Sequence, residues 1–163
     1  MKITFQKKGW AKMGIELCSL IFDNVLTYKV EQKKEDWQEG IFVLEDFTLN
    51  KDVYRNGPIF FSFESNLGDD KSGRFTYYLP ISSSVVLSDE TEFSYVERLE
   101  LERALLLRQA DQENGFYHAY DKIKSYAIAN QIELDETYYC VLLEVYGEYI
   151  IDLYVPVKGL GDE

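Results

Sequence analysis

The sequence predicts an α+β fold in which two tandem strand–helix–strand–strand (βαββ) modules are related by pseudo-twofold symmetry, with antiparallel sheets and one long helix each. The first observation is a repeat. Residues 57–81 (GPIFFSFESNLGDDKSGRFTYYLPI) and 135–157 (DETYYCVLLEVYGEYIIDLYVPV) are aromatic-rich strand patterns, and both end in Tyr, an aliphatic residue, Pro and an aliphatic residue. The second is that a segment of helical period precedes each of them. The third is length, since 163 residues can bury the core of one domain, 1–163, made of two such modules.

The first module is predicted over residues 11–82. Residues 14–30 are rich in β-branched, aromatic and aliphatic side chains, which predicts a long or broken strand. Residues 31–57 then change to a helical period, and the helix is expected to end near Gly57 and the proline after it. One face of that helix carries apolar residues: Trp37, Ile41 and Leu44. Two strands joined by a turn-rich loop complete the module: 59–64 and 74–81.

The second module is predicted over residues 92–158 and repeats the order of elements. It consists of a strand, a helix and two more strands: 93–109, 115–131, 137–146 and 148–157. The first of these strands also fits a helix, because Leu, Glu, Arg and Ala dominate it. The last two strands meet at Gly147-Glu148, which favours a type II′ turn with glycine first. Residues 1–10 are expected to add an edge strand.

The composition is acidic, with 29 Asp and Glu residues against 17 Lys and Arg residues and a net charge of −12. Such a surface repels a phosphate backbone at long range. No basic patch offsets it, since Lys33 and Lys34 are followed at once by Glu35 and Asp36. We therefore expect no nucleic-acid partner and a weak preference for cationic partners.

The cysteines and the single histidine do not predict a reactive centre. Cys18 and Cys140 lie in apolar runs without His or Cys at metal-ligand spacing, so we expect buried, reduced thiols. His118 has no nucleophile motif nearby, which gives a catalytic triad no support. No signal sequence is recognised, and no stretch approaches the roughly 20 apolar residues of a membrane span. We expect a cytoplasmic protein with no metal, no cofactor and no membrane association.

The order of elements, together with two short motifs, resembles the GyrI-like domain family. Gly115-Phe116-Tyr117 opens the second helix, and the last strand reads DLYVPVK over residues 152–158. Weaker matches to these motifs in the first half are Gly57-Pro58 and the segment YLPI at residues 78–81. The resemblance implies tandem modules that enclose an aromatic cleft for small molecules, often cationic or lipophilic. Because no DNA-binding helices precede the domain here, it looks like a stand-alone member.

The resemblance also implies a site. Members of the family hold a cleft glutamate two residues before a tyrosine, and the matching residues here are Glu136 and Tyr138; Glu144, on the same strand, is an alternative carboxylate. Tyrosines offer a ring face that attracts a cation, worth roughly 0.5–2 kcal/mol per contact. Packing in the core is the competing role for every aromatic residue, Trp37 above all. The candidate ligand-binding residues are Glu136, Tyr138, Glu144, Tyr154, Tyr117, Tyr120, Tyr78 and Trp37.

Three functions remain open on the sequence. The leading prediction is a non-enzymatic domain that binds a small apolar or cationic molecule. The alternative is an acidic protein-interaction or accessory module with a vestigial cleft, which restrains or assists a basic partner such as a toxin or enzyme. The third is a small hydrolase that uses a cleft glutamate, as in the hydrolase subgroup of the family that the chain resembles.

Overall fold

The computed structural model of the protein describes residues 2–6, 14–66, 68–88, 92–109 and 115–160. Its helices and strands are β1 (Lys2–Gln6), β2 (Ile15–Lys33), α1 (Glu39–Lys51), β3 (Phe60–Asn66), β4 (Asp69–Pro80), β5 (Phe93–Gln109), α2 (Gly115–Ala129), β6 (Ile132–Leu134), β7 (Tyr138–Val145) and β8 (Glu148–Leu160). The paired strands run antiparallel, so the predicted α+β class is confirmed. The order strand–helix–strand–strand occurs at β2–β4 and again, with β6 inserted, at β5–β8. A pseudo-twofold pair of modules stays a prediction.

Two compact units make up the chain. The first comprises Ile21–Leu99, and the second comprises Lys2–Leu20 and Glu100–Glu163. The boundaries fall inside β2 and β5, so each of these strands runs from one unit into the other. The predicted module limits, 11–82 and 92–158, stay a prediction. Across the described residues, no helix combines the length and the apolar character that a membrane span demands.

The first unit is built around β4, which pairs with β2 on one side and with β3 on the other. Tyr77 is opposite Tyr28 of β2 and Phe61 of β3, so these rings share one face of the sheet. Helix α1 packs on this face against β4. The Tyr77 hydroxyl donates a 2.6 Å hydrogen bond to the carbonyl of Trp37, just before α1. This bond fixes the position of the backbone just before the first turn of α1.

Helix α1 is shorter than the sequence predicts. Strand β2 continues to Lys33, because the residues from Glu31 onward pair with β4 as far as Ser72. A 3-10 turn follows over Lys34–Asp36, and α1 begins only at Glu39. The predicted start, near residue 31, is therefore wrong. The predicted end near Gly57 is also wrong: Asp52 takes the left-handed conformation (φ 53°) and its N–H bonds to the carbonyl of Thr48, which caps the helix.

The hairpin between β7 and β8 turns one residue earlier than predicted. Val145 pairs with Glu148, which leaves Tyr146 and Gly147 as a two-residue loop. Both have positive φ angles, 53° and 79°, as in a type I′ turn. The predicted type II′ turn at Gly147-Glu148 is therefore wrong, since glycine occupies the second position of the turn.

Tyr146 sits in this turn at a conformational cost that a substitution can remove. A residue other than glycine or asparagine is disfavoured at positive φ, and the Tyr146 side chain is fully exposed, so it gains no packing in return. Tyr146→Asn creates the Asn-Gly pair that type I′ turns prefer. We expect the variant to be more stable by about 0.5–1 kcal/mol, measured by urea unfolding. A lower midpoint in urea with an unchanged slope would contradict the turn assignment.

The second unit is built around β8, which pairs with β5, β6 and β7. Helix α2 packs against β6 and β8. The register places Tyr139 of β7 opposite Tyr154 of β8, so these two residues share a face of the sheet. Because side chains alternate along a strand, Tyr138 lies on the other face, where its ring meets that of Tyr120 from α2. The unit therefore has one face against which α2 packs, the helix-covered face, and an opposite face that carries Tyr154.

Candidate functional site

A buried carboxylate lies on the Tyr154 face of the second unit, opposite the helix-covered face. Asp152 stands in the middle of β8, flanked by apolar Ile151 and Leu153, and only 4% of its surface is exposed. The other buried polar side chains among the described residues are uncharged hydroxyl residues: Thr27, Ser62 and Thr76. A buried carboxylate is costly unless it is paired and fully hydrogen-bonded. Asp152 therefore needs an explanation that packing does not give.

The two carboxylate oxygens of Asp152 have different surroundings. Asp152 pairs with Arg108 of β5 in the sheet register, and Arg108 Nε lies 3.7 Å from Oδ2. The Arg108 side chain is 63% exposed, whereas that of Asp152 is 6% exposed, so this pair reaches from the interior to the surface. No described residue donates a hydrogen bond to Oδ1, which is also buried. One guanidinium at 3.7 Å is therefore the partner of one oxygen only.

Ionisation near Asp152 is governed by burial. Burial raises the pKa of the Asp152 carboxyl, and the positive charge of Arg108 lowers it by a smaller amount. Burial likewise raises the pKa of Tyr154, two residues along the same face, and Cys18 and Asp152 raise it further. For Cys18 of β2, burial and then the charge of Glu16 raise the pKa to about 12. The site thus holds a neutral phenol, a neutral thiol and a carboxyl whose pKa is raised by burial.

This arrangement is suited to binding a positive charge. A cation beside Asp152 favours the ionised carboxylate, in a region where desolvation strengthens the attraction. The Tyr154 ring, 1% exposed, is the aromatic neighbour on the same strand. The arrangement is poorly suited to nucleophilic chemistry, because a thiol with a pKa of about 12 is protonated at neutral pH. In the described ranges, no group of three or more His, Cys, Asp or Glu side chains is placed to hold a metal ion.

Three of the predicted site residues lie close together on the helix-covered face of the second unit. The rings of Tyr120 and Tyr138 are 4.4 Å apart. Glu136 is exposed in the segment before β7. Burial is the largest cause that raises the pKa of Tyr120, and the negative charge of Glu136 is the second. Lys124 Nζ lies 4.6 Å from the centre of the Tyr120 ring, so a cation already occupies that ring face. Tyr138 itself is 3% exposed and packs as a core residue.

The other predicted residues do not join this group. Tyr154 is on the opposite face of the sheet from Tyr138, and Glu144 is exposed near the end of β7. Tyr78 belongs to the first unit, where its hydroxyl lies 3.1 Å from Ser62 Oγ and its ring stacks on Phe60. Trp37, also in the first unit, packs 5.8 Å from the Phe61 ring. The Tyr117 side chain lies outside the described part of the chain.

Sequence reasoning included Asp152 only as the first residue of the DLYVPVK motif and did not select it as a site residue. A signal was present. Asp152 is the sole charged residue in the run from Tyr149 to Val157, where strand burial predicts apolar side chains. A charge inside a strand that is otherwise apolar is a functional signal because a fold pays a desolvation cost to keep it.

Comparison with known proteins shows which family the chain belongs to and which fold it shares. Residues 21–159 match the family model described as a domain of unknown function, DUF5085. No curated protein matches the chain significantly. The C-terminal domain of EcmrR superposes with a TM-score of 0.67 at 8% identity, over 90% of this chain and 99% of that one.

Two further structures share the fold less closely. A hydrolase from Listeria innocua superposes with a TM-score of 0.55 at 11% identity, over 87% of this chain and 91% of that one. SAV2435, solved with bound tetraphenylphosphonium, superposes with a TM-score of 0.51 at 13% identity, over 89% of this chain and 94% of that one. At these identities the similarity shows the fold alone.

Proposed function

Given that this chain belongs to the family described as a domain of unknown function, DUF5085, we propose that it is a non-enzymatic domain that binds a small apolar or cationic organic molecule. Asp152 supplies the counter-ion. Tyr154, on the same face of β8, is a buried aromatic neighbour of Asp152, and Arg108 covers the carboxylate on its solvent side. Binding by charge and aromatic contact requires no cofactor.

The observation that carries the proposal is the unsatisfied oxygen of Asp152. An ion pair that serves stability alone is expected to satisfy both oxygens, because a buried acceptor without a donor costs about 1–3 kcal/mol. Here Oδ1 has no donor among the described residues, and Arg108 reaches Oδ2 at 3.7 Å. A site that is complete only with its ligand accounts for this asymmetry, because the ligand supplies the missing partner.

The fold supports the same proposal. SAV2435, which shares it, was solved with the lipophilic cation tetraphenylphosphonium. The resemblance to the GyrI-like family points to the same class of ligand, and the two successive strand–helix–strand–strand segments suit two tandem modules of that type. The acidic net charge of −12 attracts cations at long range.

Binding without catalysis is favoured by the chemistry of the neighbours of Asp152. Cys18 has a side chain of a type that can act as a nucleophile. It is buried and burial raises its pKa to about 12, so the reactive thiolate is scarce at neutral pH. Tyr154 is likewise held in its neutral form by burial. His118, the general base by type, is exposed on α2. These groups bind and orient a molecule more readily than they transform it.

The experiment is a thermal-unfolding panel with tetraphenylphosphonium, 4-phenylbutylamine and the neutral analogue 4-phenylbutanol. A cation at 100 times its Kd is expected to stabilise the fold by about 2.7 kcal/mol, which raises the Tm by roughly 5–11 °C for a chain of this size. The neutral analogue is expected to bind more weakly, since it lacks the charge that Asp152 pairs with. A Tm that no cation in the panel changes would contradict the proposal.

A further inference from the structure

The two oxygens of Asp152 offer different interactions to a ligand. Oδ2 is already near the guanidinium of Arg108. Oδ1 is buried, and none of the described residues donates a hydrogen bond to it. An ionised carboxylate oxygen is only an acceptor, so its missing partner is an N–H or O–H group. A positive charge without a hydrogen on its charged centre balances the charge of Asp152 but leaves this acceptor unsatisfied.

We propose that the ligand of the Asp152 site carries a hydrogen-bond-donating cation, a primary or secondary ammonium or an amidinium, which donates to Oδ1 while Arg108 stays at Oδ2. This rests on the proposed function and adds the chemical class of the ligand. Hydrogen bonds in which the donor or the acceptor is ionised are roughly twice as strong as neutral ones. The class thereby excludes quaternary onium ions as the preferred ligands, although such ions bind to aromatic surfaces.

The groups around Asp152 make the binding dependent on pH. The guanidinium of Arg108 from β5 faces the carboxylate. On β2, Cys18 stays protonated below its pKa of about 12, and Glu16 is exposed. On β8, burial keeps Tyr154 protonated. Asp152 is therefore the group whose protonation opposes the binding of an ammonium ion, because burial raises its pKa in the free protein. The β7 residue opposite Asp152 is the uncharged Val141.

The test compares two probes with the same positive charge, of which only the first has N–H donors: 4-phenylbutylammonium and its N,N,N-trimethyl analogue. Titration calorimetry on the full chain at pH 8 is expected to give a Kd about 10–100-fold lower for the primary ammonium, the range for a hydrogen bond to a charged group. In Asp152→Asn the ratio is expected to fall below that of the wild-type chain, because a neutral amide oxygen accepts a weaker hydrogen bond from the ammonium than a carboxylate oxygen does. In Glu148→Gln, which removes an exposed carboxylate from the same strand, the ratio is expected to be unchanged.

The outcomes separate the inference from the proposed function. Equal affinities of the two probes for the wild-type chain would overturn the inference and leave the proposed function standing. If neither probe nor tetraphenylphosphonium binds, both are overturned. A donor preference of unchanged size in Asp152→Asn would place the donor at another acceptor and overturn the assignment to Oδ1. If Asp152→Asn does not fold, the ratio of the two probe affinities for the wild-type chain still tests the inference.

A second measurement on the same probes tests the proton release. For the primary ammonium, calorimetry in buffers of different ionisation enthalpy is expected to show proton release on binding at a pH where the free Asp152 carboxyl is partly protonated. The affinity is expected to fall as the pH is lowered through the raised pKa of Asp152, because the protonated carboxyl must then lose its proton for the cation to bind. Affinity that is constant from pH 8 to pH 4 would overturn this part of the inference.

Discussion

Asp152→Asn is expected to weaken the binding of cationic molecules strongly and, in the same protein, to raise the stability of the unliganded fold. Binding is weakened because the amide has no charge to pair with the ligand. We expect the affinity for any cation that stabilises the wild-type chain to fall at least about 100-fold, in line with the 2–5 kcal/mol that truncating one member of a buried charge pair costs. Titration calorimetry measures this loss directly.

The gain in stability follows from the sign of the pKa shift. Burial raises the pKa of Asp152 above its ordinary value of 3.8, so the folded chain holds that proton more tightly than the unfolded chain. The free energy of unfolding of the wild type therefore falls as the pH rises from 3.8 through the raised pKa. Asn at this position has no such dependence. The variant is expected to be more stable by about 1 kcal/mol at neutral pH, which corresponds to a Tm about 2–4 °C higher.

The pH dependence distinguishes this explanation from a general effect of the substitution. Below pH 3.8 the two proteins are expected to differ little, because Asp152 is then protonated in both the folded and the unfolded wild type. The matched control is Glu148→Gln, which changes an exposed residue of the same strand. For this variant we expect unchanged stability and unchanged affinity for the ligand. A destabilised Asp152→Asn that still binds cations would be incompatible with the site.

Gly40→Ala is expected to destabilise the first unit strongly, although alanine is the better helix former. A methyl group at this position overlaps the ring of Tyr77, over which the first turn of α1 lies. The gain in helix propensity is about 1 kcal/mol, whereas overpacking costs 1–3 kcal/mol and more where the backbone must shift. We expect a net loss of about 2 kcal/mol, or a Tm about 4–8 °C lower, measured by thermal unfolding.

A double-variant cycle checks the cause. Tyr77→Leu removes the overlapping ring, at the cost of the hydrogen bond from its hydroxyl to the Trp37 carbonyl and of packing against Phe61. In the Tyr77→Leu background, Gly40→Ala is expected to cost nothing or to stabilise, with a coupling of at least about 1 kcal/mol. Strictly additive losses would show that the ring does not limit the size of residue 40.

Local patterns were sufficient for most of the fold. The α+β class follows from the change between a period of two and a period of 3.6, and strand β5 was predicted at its observed limits, 93–109, despite its helix-forming composition. The errors arise where tertiary pairing overrides local preference. Residues 31–33 have helical composition, yet they continue β2 because β4 pairs with them. The hairpin turn was assigned from glycine alone, whereas the register with Val145 decides it.

The candidate site was less accessible to sequence reasoning. The predicted Glu136, Tyr138 and Tyr120 lie together in the structure, because a glutamate just before a strand and a tyrosine of the preceding helix meet on one face. Asp152 was not selected, since its importance depends on burial and on an oxygen without a donor. Neither property can be read from residue type. Register alone shows that Tyr154 and Tyr138 occupy opposite faces of the sheet.

The pKa of Asp152, measured from the pH dependence of its carboxyl carbon resonance with and without 4-phenylbutylammonium, tests the central claim most directly. The Asp152→Asn variant assigns the resonance. For the free protein we predict a pKa above the ordinary value of 3.8, because the carboxyl is buried. With the ammonium bound we predict a lower pKa, because the cation stabilises the ionised form. An ordinary pKa in the free protein, or a pKa that the ammonium leaves unchanged at saturation, would contradict the claim that Asp152 is the counter-ion of the ligand.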